Sequence, residues 1–148
     1  MAKFKFSLET LLNHLLHHEE IIQKELSVLG SMIGVEKAIL SQIQQDKDKA
    51  YAEINQKQLR GVDLSEHILY ANFLEGLTRK IVIQQKKVKE TEKKYAQKRD
   101  DLIEAVKKRN IIINLKEKGL AVYSRELLKL DQDFQNEVAI SSFHSVRR

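Results

Sequence analysis

Leu8, Leu12, Leu15, Glu19, Ile22, Leu26, Leu29, Ile33, Glu36, Leu40, Ile43, Lys47, Ala50 and Ile54 recur at alternating steps of four and three residues, and eleven of these fourteen positions are apolar. A stripe that narrow and that long is the seam of a coiled coil, since a globular helix buries a wider face. Ser7 suits the N-cap of this first helix, with Phe6 and Leu11 placed for a hydrophobic staple across it. The one strong break in pattern is the stretch Gln58 to Leu64, where Gly61 suits a left-handed helix end and Asp63, followed by Glu66, suits the next cap. So short a connection makes the helices antiparallel neighbours.

The second stripe runs through Tyr70, Leu74, Leu77, Ile81, Gln84, Val88, Thr91, Tyr95, Lys98 and Leu102. It then resumes out of phase as Val106, Ile113, Leu120, Tyr123, Leu127, Leu130 and Phe134. Two four-residue steps in succession near Leu102 predict a stutter that locally unwinds the supercoil. The expected fold is all-α: a long antiparallel two-helix coiled-coil hairpin in a single domain. Its helices run over about 7–59 and 64–140, with a bend at 60–63.

At 1.5 Å per residue the helices are about 80 and about 115 Å long. Folding about Gly61 sets residue i opposite roughly residue 123 − i, so residues from about 116 onward have no partner in the chain. That C-terminal overhang still carries Leu120, Tyr123, Leu127, Leu130 and Phe134. Burying such side chains is worth about 1.5–3 kcal/mol each, so the overhang predicts another protein.

Composition agrees with long helices. Charged residues make up 32% of the 148, and proline and cysteine are absent. Without proline nothing kinks a helix from within, and without cysteine there is no disulfide framework or thiolate metal site. No uninterrupted apolar run reaches the roughly 20 residues of a transmembrane helix, and a cytoplasmic location is expected. Two helices side by side offer little concavity for catalysis, and neither a phosphate-binding GxxxxGK[ST] loop nor a GxSxG elbow occurs, so no enzyme and no cofactor is expected. His14, His17 and His18 include an i, i+4 pair, but two imidazoles fall short of a metal site and read as a solvated flank.

Net charge is +5 and unevenly spread: residues 79–99 hold nine lysines and arginines against Glu90 and Glu92. Such a run could meet nucleic acid or an anionic membrane surface through phosphate neutralisation. Tyr95 is the only aromatic there, which argues against base stacking. A solvated face or an acidic protein partner is the preferred reading.

Three stretches carry a family resemblance. Phe4-Lys5-Phe6-Ser7-Leu8-Glu9-Thr10-Leu11-Leu12 fits FxFxLxxLL. Tyr70-Ala71-Asn72-Phe73-Leu74-Glu75-Gly76-Leu77 fits a Tyr-x-x-Phe-x-x-x-Leu stretch just past the bend. Lys116-Glu117-Lys118, Tyr123-x-x-Glu126 and Glu137-x-Ala139 fit a third, with Lys129, Asp131, Asp133, Gln135 and Asn136 departing from the usual residues. In this order the motifs resemble FliJ, the coiled-coil component of the bacterial flagellar type III export apparatus. The resemblance implies a stalk-like protein whose paired terminal helices enter a hexameric export ATPase ring and whose bend faces the cytoplasmic domain of the membrane export gate. Contacts with an ATPase regulator and with export chaperones, a chaperone role, involvement in motility and chemotaxis, and peripheral attachment to the inner face of the membrane are implied with it. Carried over by position, Tyr51, Phe73, Leu77, Lys80 and Gln84 form the gate-facing surface, and the ridge from Leu120 to Phe134 is assigned to the ring. The stalk of a virulence injectisome is the alternative within this class. A basic coiled-coil binder of nucleic acid or membrane surfaces is the alternative outside it.

Overall fold

A computed structural model describes residues 3–146. Two helices, α1 (Glu9–Arg60) and α2 (Leu64–Val146), account for 94% of it and pack against each other, with no strand among the described residues. The fold is the expected helical hairpin.

The ends follow from local chemistry. Gly61 adopts φ +84°, and its N–H donates to the Gln58 carbonyl at 3.3 Å. Only glycine takes that conformation without a Cβ penalty. Lys57 and Arg60 in the last turn of α1 and Glu66 in the first turn of α2 complement the helix dipoles. Asp63 caps α2, its carbonyl accepting from His67 N at 3.0 Å. The expected cap at Ser7 lies one residue further on. The Phe6 carbonyl takes the Glu9 N–H at 3.1 Å in a preceding turn, and Leu8 accepts the first helical bond, from Leu12 N at 2.9 Å. At its far end α2 continues six residues beyond the expected limit.

Packing divides the chain into two compact units, residues 21–102 and residues 1–20 with 103–148. In the first of these, the α1 seam from Ile22 to Ile54 and the α2 seam from Tyr70 to Leu102 are buried or half-buried at every expected position. Three of the polar seam residues, Glu36, Gln84 and Thr91, are linked by hydrogen bonds, although Glu36 Oε2 is buried without a partner. Gln84 Nε2 donates to the Glu36 carbonyl at 2.9 Å, and the Thr91 hydroxyl reaches both Glu36 Oε1 (3.1 Å) and the Lys87 carbonyl (3.0 Å). Lys37–Glu92 at 3.2 Å and Lys98–Glu25 tie the two helices along the edges. Glu25 holds the Lys98 ammonium above its ordinary value of 10.5.

In the other unit Leu8, Leu12, Leu15 and Glu19 face Ala105, Arg109, Ile112, Lys116, Gly119 and Tyr123. The step from Leu102 to Ala105 is three residues, so the alternation of three and four is unbroken and the expected stutter does not occur. Val106 and Ile113 sit at the edge of the seam, and Leu120 is exposed. Acidic partners on α1 explain why long cations occupy seam positions: Arg109 Nη1 meets Glu19 Oε1 at 2.9 Å, and Lys116 meets Glu9 at 2.8 Å. Gly119 has the opposite cause. The ring of Phe4, from the extended segment ahead of α1, lies over it so closely that a Cβ there would be 3.2 Å from Phe4 Cζ. The same ring packs on Tyr123 with centroids 5.6 Å apart and planes tilted by 47°.

Candidate protein-binding surfaces

The seam uses up one face of each helix, so further function must come from the apolar residues it leaves outside. Three groups of them stand out.

Around the bend, Leu59, Leu64, Ile68 and Leu69 are strongly exposed, Leu59 at 89%. Tyr51 and Phe73 add to this group, both about half exposed, and Lys80 is exposed nearby along α2. The other two residues assigned to the gate point the other way: Leu77 and Gln84 are each 7% exposed and belong to the seam. They hold α2 in place beneath Phe73 and Lys80. Lys57, at the edge of the group, hydrogen-bonds the Tyr70 hydroxyl and lies 4.8 Å above its ring centre. Chiefly through that hydrogen bond the ammonium is held above its usual range. The cluster Leu59–Leu69 carries a signal readable in sequence, namely apolar residues off the seam on both sides of a glycine turn.

The second place is the C-terminal part of α2. The overhang starts later than helix lengths suggest, because the extended segment bearing Phe4 runs on beyond α1 over Gly119 and Tyr123. Of the five residues assigned to the ring, Tyr123 packs on Phe4, Leu127 is half-buried, Leu120 is 40% exposed, and Leu130 and Phe134 are largely exposed. Apolar exposure continues past them through Val138, Ile140, Phe143 and Val146.

The third was not anticipated. Val28, Met32, Val35 and Ile39 form a second stripe on α1, all exposed, beside the seam. An open hollow of about 450 Å³ lies here, lined by Ser27, Val28, Ser31, Met32, Val35 and Glu36. Together with the seam residues this stripe raises one 18-residue window of α1 to a mean hydropathy of 1.3, long and apolar enough by composition to cross a membrane. The seam residues of that window are half-buried against α2, and none of the window is fully buried.

No group of three or more histidine, cysteine or carboxylate side chains converges among the described residues. His14, His17 and His18 are exposed, and His17 Nδ1 lies 3.9 Å from Glu20.

A hairpin tied across its seam by ion pairs and hydrogen bonds, with spare apolar residues on open flanks, defines a helical coiled-coil protein. The chain belongs to the family of flagellar FliJ proteins, whose model matches residues 4–148. Membership makes it a component of the flagellar export apparatus, in a family of non-enzymatic export components. Comparison with curated proteins and with solved structures gave no match.

Proposed function

We propose that the chain is the adaptor between the export ATPase ring and the export gate, binding the ring through the C-terminal part of α2 and the gate through the bend. The observation that carries this reading is the inequality of the helices. α2 has 83 residues and α1 has 52, and the excess bears Leu130, Phe134, Val138, Ile140 and Phe143 exposed. Exposed apolar groups in that number are worth several kcal/mol to whatever protein covers them. The gate surface is Tyr51, Phe73 and Lys80 with the exposed leucines about Gly61, and Leu77 and Gln84 support it from below. Contacts with the ATPase regulator and with export chaperones, and a chaperone activity, belong to the same proposal, as does peripheral attachment at the membrane face of the apparatus.

The ring assignment is tested by ending the chain after Arg125, which spares the Phe4–Tyr123 contact. The shortened protein is expected to keep its helicity and lose stimulation of the export ATPase; full stimulation would remove the assignment. For the gate, Tyr51→Ala with Phe73→Ala should weaken binding to the gate's cytoplasmic domain and reduce swimming in a complemented null strain. Normal motility and normal gate binding would refute it.

A nucleic-acid reading of residues 79–99 has its lysines but lacks a stacking platform. Tyr95 is half-buried, its ring 3.6 Å from the place of a Cβ on Gly30.

A further inference from the structure

The stripe Val28, Met32, Val35, Ile39 repeats at four, three and four residues, the same spacing as the seam beside it. Val28 and Val35 are about 60% exposed and Met32 and Ile39 about 45%. Each valine immediately precedes a seam position of α1, Leu29 and Glu36. On α2, Lys87 and Lys94 immediately precede the seam positions Val88 and Tyr95. In an antiparallel pair, residues one step before the seam on the two helices fall on the same side. A shallow hollow lined by Leu29 together with Lys94, Gln97, Lys98 and Asp101 agrees with that placement. Lys80, Lys87 and Lys94 recur every seven residues, so a row of cations follows the coiled-coil period next to the apolar stripe. Within the described residues none of the three has a carboxylate in salt-bridge range, whereas Arg79 and Lys98 of the same basic stretch are paired with Glu75 and Glu25.

We propose that this flank docks an acidic amphipathic helix of another protein, laid along the hairpin as a third member of the coiled coil, its apolar seam on Val28–Ile39 and its carboxylates on Lys87 and Lys94. The period selects a helix: a lipid surface has no seven-residue repeat to match, and the remaining lysines, Lys86, Lys89 and Lys93, point elsewhere around α2 instead of bordering the stripe. The charge excludes a second copy of this chain, which would bring the same row of lysines against itself. None of the residues assigned to the gate or the ring is needed except Lys80 at the end of the row, so the proposal stands apart from those assignments.

The test uses the full chain and two synthetic helices of four heptads. Both have leucine and isoleucine seams; one is flanked by glutamate, the other by lysine. Fluorescence anisotropy is expected to show binding of the glutamate helix and affinity at least about tenfold lower for the lysine helix. Val28→Glu with Val35→Glu should abolish binding with unchanged helicity and Tm, and Lys87→Glu with Lys94→Glu should reverse the preference. Failure of the glutamate helix to bind, or equal affinity for both helices, would overturn the proposal. So would binding of phosphatidylglycerol vesicles that the valine variant loses, or a dimer in sedimentation that it converts to monomer.

Discussion

Gly119 shows how one missing methyl group sets a local structure. In the interior of a helix, glycine costs about 1 kcal/mol relative to alanine, and here the cost is offset by the close approach of the Phe4 ring. Gly119→Ala sets a gain in helix propensity against a contact of 3.2 Å with the Phe4 ring, so its net effect on stability is expected to be near zero. Gly119→Leu has no such balance: it lifts Phe4 off Tyr123 and should lower stability by about 1–2 kcal/mol, read as a drop in Tm, with Phe4→Ala showing a loss of similar size. If Gly119→Leu left Tm unchanged, Phe4 would not be holding the N-terminal segment to α2. Leu77 and Phe73 make a similar contrast four residues apart. Leu77→Ala opens a cavity in the seam and should cost about 2 kcal/mol, while Phe73→Ala on the open flank should cost under about 0.5 kcal/mol. Equal losses in thermal denaturation would contradict the burial assigned to them.

At the scale of the helices, the ion pair Arg109–Glu19 governs how α2 sits on α1 in its unit. Glu19 is 6% exposed, one of its carboxylate oxygens and Arg109 Nε have no partner, and the other oxygen carries the contact at 2.9 Å. Removing one member strands a buried charge. Arg109→Met alone is therefore expected to cost about 3 kcal/mol in chemical denaturation, and Glu19→Met with Arg109→Met to recover most of it. A double variant no better than the single one would make the pair a stabilising contact in its own right and not a device of register. The same pair marks where sequence reading stopped working. Along α1, and along α2 up to Leu102, position in the three–four alternation decides burial whether the residue is Leu, Glu, Lys or Thr, and the stripe could be read directly. Past Leu102 the bulky residues Val106, Ile113 and Leu120 suggest one phase while Ala105, Arg109, Lys116 and Gly119 occupy the other. Size favours the first phase. The second wins because Glu19 and Glu9 supply countercharges and Phe4 supplies the packing that Gly119 lacks, and those partners lie about 90 or more positions away in the chain. The outer stripe on α1 was legible by the same spacing rule but lay in the shadow of the stronger seam. Which protein each flank binds is not a property of spacing, and for the bend and the ridge the family supplied that expectation.

Taken as a whole, the molecule divides its apolar residues between those that hold the helices together and those kept outside for partners. Its internal ties are several and modest. Exposed ion pairs such as Lys37–Glu92 contribute at most about 1 kcal/mol each. Amide exchange should follow this division: slow at the seam residues of α1 and α2, and fast from Leu128 to Val146, where no second helix covers the backbone. Adding the export ATPase is expected to slow exchange in that stretch alone, and protection there in the free protein would mean that the chain already covers it by self-association. The uncovered end of α2 also has a cost that its length conceals. Beyond Leu127 it continues a helix begun elsewhere, and among the described residues α1 does not run alongside it to keep its last turns wound. On the proposed docking of that end, any turn that rewinds as it binds surrenders entropy, which is subtracted from the contacts made. Such a grip, on the proposed ring assignment, would be specific yet easily undone.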